Sequence, residues 1–184
     1  MRRIVIGDDD TGQGRILADD DIAPLTLAML PGAQVHRMWE LDEPPQLPLT
    51  GLPPRTETTF FPGPGGLRFG YISIPGGLSY EPDPTLSETA MAGLVAEAET
   101  KVAGMMASFD PQRPGMHATD SMDMVVVLSG QGRMRIDDGT DVTLQPGDCV
   151  IQHGTPHGWF NDGTEPFVFC YTLCGVAPNT PVEP

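Results

Sequence analysis

The sequence predicts a mainly β chain: a small antiparallel barrel or two-sheet jelly roll, with extra N-terminal strands and one inserted helix. Three observations point there. The second half reads as short apolar or alternating runs, each closed by a tight polar turn such as Ser129-Gly130-Gln131-Gly132, Asp137-Asp138-Gly139 or Pro146-Gly147-Asp148. Glycine (22) and proline (20) are abundant in the 184 residues, which suits many short strands better than a helical bundle. Only one stretch, 86–109, carries helical spacing over several turns.

Along the chain, 3–7 and 14–18 read as short strands around the turn Asp8-Asp9-Asp10-Thr11-Gly12. That acidic turn lacks the ligand alternation of a calcium loop and has Asp19 where the closing glutamate would stand, so a solvated turn is expected. Residues 33–41 alternate as a third strand, with His36 expected as a surface or edge histidine. Between 42 and 66 the prolines (among them Pro53 and Pro54) and glycines break any repeat. Leu47, Leu49, Leu52, Phe60 and Phe61 nevertheless make the segment too apolar for a free linker, so it should pack on the domain or on a second subunit. Residues 67–74 form the next strand. In the helix, Thr85 and Glu88 have capping-box spacing, and Met91, Leu94, Val95, Ala98, Val102, Met105 and Met106 should form a buried face, with Glu97 and Lys101 paired one turn apart. Strands are then expected over 124–128, 133–136, 142–144, 149–152, 157–160 and 167–173.

Composition excludes some functions. The formal charge is −15, from 25 acidic and 10 basic side chains, so the summed field repels nucleic acid and anionic membrane surfaces. No apolar run approaches the length of a membrane helix, and the start, Met1 to Asp10, does not read as a secretory leader. Cys149, Cys170 and Cys174 have no close pair, which fits a reduced, cytoplasmic protein with free thiols.

The chemistry concentrates between Gly115 and Asn161, which hold three of the four histidines. His117, Thr119 and Asp123 have one parity and would face one side of a single extended strand. His157 opens a later strand after Gly154-Thr155-Pro156. Two imidazoles and a carboxylate converging in a barrel could bind a divalent metal with open positions, or could pair with one another as lining residues. His153 sits at a turn and could be a general base, a substrate contact or a surface residue. Asp120 could orient His117 or be an exposed turn carboxylate. Either Trp159 or Phe160 should line the cavity.

These segments resemble the two signature motifs of the cupin superfamily, over about 112–175. In the first, His117, Asp123 and Gly130 fall on motif positions, with Thr119 where a second histidine would stand. In the second, Gly147, Gly154, His157 and Asn161 fall on motif positions, with His153 near the usual proline. The resemblance implies a single cupin domain over 1–184. Its barrel core would span 112–175, with N-terminal strands and the Pro/Gly-rich segment (1–85) packed on it and the helix (86–109) inserted. It implies a homodimer and a divalent metal, with Fe(II) favoured and Zn, Mn or Ni as other choices, held by His117, Asp123 and His157. The implied function is an enzyme acting on a small organic molecule, aromatic or polyketide-like, by dioxygenase-like oxidation. His153 would be catalytic, and Thr119, Asp120 and Trp159 would shape the pocket. The alternatives are a non-redox lyase, decarboxylase or isomerase with His153 moving the proton, or a non-catalytic small-ligand-binding cupin.

Overall fold

The computed structural model describes residues 1–52 and 59–177; Pro53 and Pro54 of the irregular segment lie outside the described residues. The ten strands are β1 (Arg2–Asp8), β2 (Gly14–Asp21), β3 (Gln34–Leu41), β4 (Leu67–Ile74), β5 (Ser121–Ser129), β6 (Gly132–Ile136), β7 (Asp141–Leu144), β8 (Cys149–His153), β9 (His157–Phe160) and β10 (Phe167–Gly175). One helix, α1 (Glu88–Lys101), and a 3-10 turn (Met106–Ser108) stand between β4 and β5. Every strand expected from the sequence is present, with ends that differ by up to three residues.

The strands form three sheets. A five-stranded sheet runs β3-β4-β10-β5-β8, a three-stranded sheet runs β7-β6-β9, and β1 and β2 make a separate hairpin. The two larger sheets enclose the main core, in which Val125, Val127, Met134, Trp159, Phe167, Phe169 and Leu173 are buried together. Alternation creates this core directly. On β5 and β10 the odd-numbered residues through Val127 and Leu173 are buried and the even-numbered ones only partly so, as the two-residue period of a strand with one core face requires. Asn161 joins the sheets: its side-chain amide donates to the Ile74 and Glu165 carbonyls at 2.9 and 2.8 Å, and its Oδ1 accepts from Gly163 N–H. Its place in the second motif is thus accounted for by structure.

Four expectations need correction. β3 does not alternate cleanly, because a bulge between Arg37 and Trp39 shifts its register against β4. His36, expected as a surface or edge histidine, does lie on the edge strand β3 but is buried at 8% exposure, and desolvation, with a smaller contribution from the nearby Met1 ammonium, pushes its imidazole pKa down. The cap of α1 is Ser87, whose hydroxyl accepts from Ala90 N–H at 3.2 Å, while Thr85 turns back on Asp83. The capping-box spacing from Thr85 therefore falls two residues early. Finally, α1 buries only Ala98 along its length, with Val102 just beyond, against Leu27, Val35 and Phe60. Met91, Leu94 and Val95 are only half-buried, so the methionine stripe packs loosely. Phe60, from the irregular segment, does pack on the domain as expected. No helix among the described residues is long and apolar enough to cross a membrane.

Candidate functional site

Between the two larger sheets lies a cavity of about 100 Å³, walled by aliphatic and aromatic side chains and polar at one end, where His117, Asp123 and His157 reach it. Three different local arrangements deliver these groups. β9 pairs antiparallel with β6, and its inward positions are His157 and Trp159. Asp123 is an inward position of β5, level with Leu173 on β10 and Gln152 on β8. His117 lies outside β5: its N–H donates to the His157 carbonyl at 2.8 Å, and its carbonyl accepts the reciprocal bond from His157 N–H at 2.9 Å. The expectation that 117–123 is one strand is therefore corrected. The chain leaves a bridge with β9 at His117 and enters the five-stranded sheet only at Ser121.

The backbone pairing brings the two imidazoles to 4.4 Å between ring centroids. Phe61 stacks on His117 at 6.3 Å, Phe109 approaches it at 5.1 Å, and Trp159 meets His157 edge-on at 5.6 Å while packing on Phe169 at 4.8 Å. Asp123 is held by hydroxyls: its Oδ1 accepts from Ser121 Oγ at 2.6 Å, and Ser121 lies 2.8 Å from Thr119 Oγ1. Ser121 gives its single hydroxyl proton to the carboxylate, so Thr119 is the donor in the second bond. All three side chains are buried.

Electrostatics follow from burial. Desolvation, with the neighbouring His157 as a smaller cause, pushes the His117 imidazole down to about 3. His157 is also lowered by burial, opposed by the Thr155 carbonyl and by Asp123. Burial raises the Asp123 carboxyl, against the Ser121 hydrogen bond and His157. At neutral pH the polar end holds two uncharged imidazoles. An unfolded His117, with an ordinary value near 6.5, takes up a proton that the folded chain refuses down to about 3. Its contribution to stability is therefore full above pH 6.5 and is lost as pH falls toward 3, while Asp123 contributes in the opposite sense. Urea midpoints measured at pH 7, 5.5 and 4.5 should decline in the native chain and flatten in His117→Gln; an equal slope in both would show that His117 is not the group responsible.

The remaining expected site residues are placed as follows. Trp159 lines the cavity. Thr119 is buried behind Asp123 and serves as a hydroxyl donor. Asp120 is exposed and does not reach His117, whose Nδ1 instead lies 3.4 Å from the Gly115 carbonyl. His153, expected to be catalytic, is exposed on the opposite face of β8, because strand alternation turns Gln152 inward and His153 outward. Gln152 donates to the Thr155 carbonyl at 2.5 Å and lies 3.1 Å from His157 Nδ1; among the described residues its Oε1 is the one buried side-chain polar atom with no partner. Ser121 and Gln152 were not anticipated. Ser121 shares the parity of Asp123, and Gln152 that of Val150, which is the signal that identifies both.

For a metal, the described residues assemble no group of three histidine, cysteine, aspartate or glutamate side chains that could hold an ion. His117 and His157 are adjacent, but Asp123 is turned to Ser121, and Thr119, at the second-histidine position, is turned to the same hydroxyl. The arrangement in hand does not fit a three-ligand centre.

Comparison with known proteins bears on the family. Residues 105–174 match the family model described as Cupin domain. These residues carry a cupin domain. Among curated relatives, this cupin is 43% identical over 53 residues to phomopsin biosynthesis cluster protein D of Diaporthe leptostromiformis, covering 27% of the chain and 28% of that protein. It is 34% identical over 61 residues to a cupin-domain-containing oxidoreductase of Aspergillus ruber, covering 32% and 30%. The matched segments thus span less than a third of each relative's length. A Cupin 2 conserved barrel domain protein from Salinispora arenicola aligns over 84% of this chain and 88% of its own, with 14% identity and a TM-score of 0.43.

Proposed function

We propose that this cupin is an enzyme that moves a proton on a small, largely apolar organic molecule bound between its sheets, in an isomerisation, elimination or decarboxylation. One observation carries the reading: a largely apolar cavity ends in two adjacent neutral imidazoles and a carboxyl group. Groups of this kind, desolvated and close together, are suited to general acid–base work. His157 is the better base of the two, since Asp123 and the Thr155 carbonyl oppose the effect of burial on it. It accepts a proton from the ligand at Nε2, the imidazolium is stabilised by the Asp123 carboxylate, and the same proton returns to a different ligand atom. His117, pushed further down, stays neutral and orients the ligand.

The test is deuterium exchange. Neutral cyclic ketones and phenols are incubated with the protein in D₂O, with chelator and under argon, and carbon-bound deuterium is read by NMR. Exchange should occur with the native chain and fall about 100-fold or more in His157→Gln, the usual scale for a lost general base. Exchange or turnover seen only in air and after Fe(II) loading would overturn this reading in favour of metal-dependent oxidation. So would stoichiometric metal in the native chain that Asp123→Ala loses.

A further inference from the structure

The outer side of the five-stranded sheet, away from the cavity, carries a second organised surface. Strand alternation turns the even-numbered residues of β5 and β10 and the odd-numbered residues of β8 outward. None of these outward residues is an aspartate, glutamate, lysine or arginine, in a chain with 25 acidic and 10 basic side chains. Among them Leu128 and Ile151 stand 45% and 57% exposed. Next to this uncharged floor lies the β1–β2 hairpin, which pairs with no other strand among the described residues. It meets the sheet through Arg3, whose Nη1 donates to the Met38 carbonyl at 3.1 Å, and it lies beside Trp39, Phe69 and Tyr71. Val5 is buried; Ile4 and Ile6, on the opposite face by alternation, and Ile16, paired with Ile6, are exposed at 50%, 69% and 62%. Phe69 and Tyr71 are level with Thr172 and Cys170 of β10, so the hairpin and the floor lie on one side of the molecule.

We propose that this side is the interface of a two-fold dimer, in which the hairpin isoleucines of each copy cover the β5–β8 floor of the other. Three features favour a second copy over a partner of another kind. Both halves of the contact, an apolar ridge and an uncharged floor, belong to one chain and sit side by side, so a two-fold axis between them satisfies each with the other. With a formal charge of −15, two copies approach closely only where acidic groups are missing, and the floor is such a place; a basic partner would find no carboxylates on it. The area also suffices. Three strands about 4.8 Å apart and about seven residues long, with the hairpin added, offer roughly 550 Å² per copy, or on the order of 1,100 Å² in total, above the ~1,000 Å² of a specific interface. The hairpin gains a layer against its apolar face, which an isolated two-stranded ribbon lacks. The contact involves neither the cavity nor its chemistry.

Sedimentation velocity of the full chain and its surface variants tests the arrangement. The native chain should sediment as a dimer at micromolar concentration. Ile6→Lys and Ile151→Glu should each weaken association about 100-fold or more, because a two-fold contact buries the unpaired charge twice. Leu86→Lys, exposed in the segment before α1 and outside both surfaces, should stay dimeric. Mixing the Ile6→Lys and Ile151→Glu chains should restore a dimer, since one contact then pairs the ammonium with the carboxylate and the other keeps both isoleucines. That rescue also shows that each variant is folded. A monomeric native chain, a dimer that survives both single substitutions, or dissociation by Leu86→Lys would overturn the proposal. So would two monomeric variants that fail to associate on mixing, the outcome if hairpin met hairpin and floor met floor.

Discussion

Arg68→Ala should lower folding stability by about 3–5 kcal/mol, the scale of removing one member of a buried charged network. Arg68 is 2% exposed on β4, facing the interior beside Leu173. Its guanidinium serves three stretches of chain. Nη1 donates to the Leu41 carbonyl at 2.6 Å and to the Leu67 carbonyl at 3.0 Å; Nη2 reaches Asp42 at 2.7 Å and the Thr59 carbonyl at 3.2 Å, with Nε on the same carbonyl at 3.3 Å. It thereby anchors the end of β3 and the return of the irregular segment onto β4. Alanine deletes every donor at once and leaves those carbonyls in a site with little water. Arg68→Lys should recover less than half of the loss, because a single ammonium cannot span acceptors that the planar fork reaches on two sides. Urea unfolding of the three chains decides it: a loss under 1 kcal/mol in the alanine variant would mean that water replaces the guanidinium.

Phe167→Ala should cost about 3–5 kcal/mol, the range for truncating a buried phenylalanine. Phe167 is fully buried at the start of β10, with its ring centroid 5.2 Å from that of Phe169. The facing wall is Gly132, where an added Cβ would stand 2.3 Å from the Phe167 ring. This contact makes the two sites interdependent. Gly132→Ala alone overpacks the core, whereas in the Phe167→Ala background the methyl group enters vacated space. The double variant should therefore be more stable than the sum of the single effects predicts, by more than about 0.5 kcal/mol, the usual limit of additivity for independent sites. Strict additivity would show that the facing strand moves instead of conflicting.

Much of this architecture is readable from the chain because strand alternation is a local signal. β5 and β10 declare their buried faces in sequence, and the turns between β5 and β9 carry their own glycines and aspartates. The site is only partly readable, since parity holds within a strand but not across a change of sheet. His117, Thr119 and Asp123 have matching parity, yet the chain changes partners between His117 and Ser121, so their convergence on one side is due to tertiary pairing. His153 shows the reverse problem: a histidine four residues before another invites a joint role, while the strand simply alternates and presents Gln152 instead. The cap of α1 is missed for a related reason. Ser87 and Thr85 are both competent caps, and the Asp83 turn, which occupies Thr85, is decided by local geometry that residue type does not specify.

The reciprocal hydrogen bonds between the His117 and His157 backbones carry a consequence for how such a barrel can diversify. Since the rung is peptide to peptide, the spacing of the two backbone positions that carry the imidazoles is set by backbone hydrogen bonds and not by side-chain fit. Substitutions in the walls, at Leu25, Leu30 or Tyr80, can therefore widen or reshape the chamber without retuning the working pair. Selectivity and chemistry are separable here: one is written in exchangeable upholstery, the other in the frame.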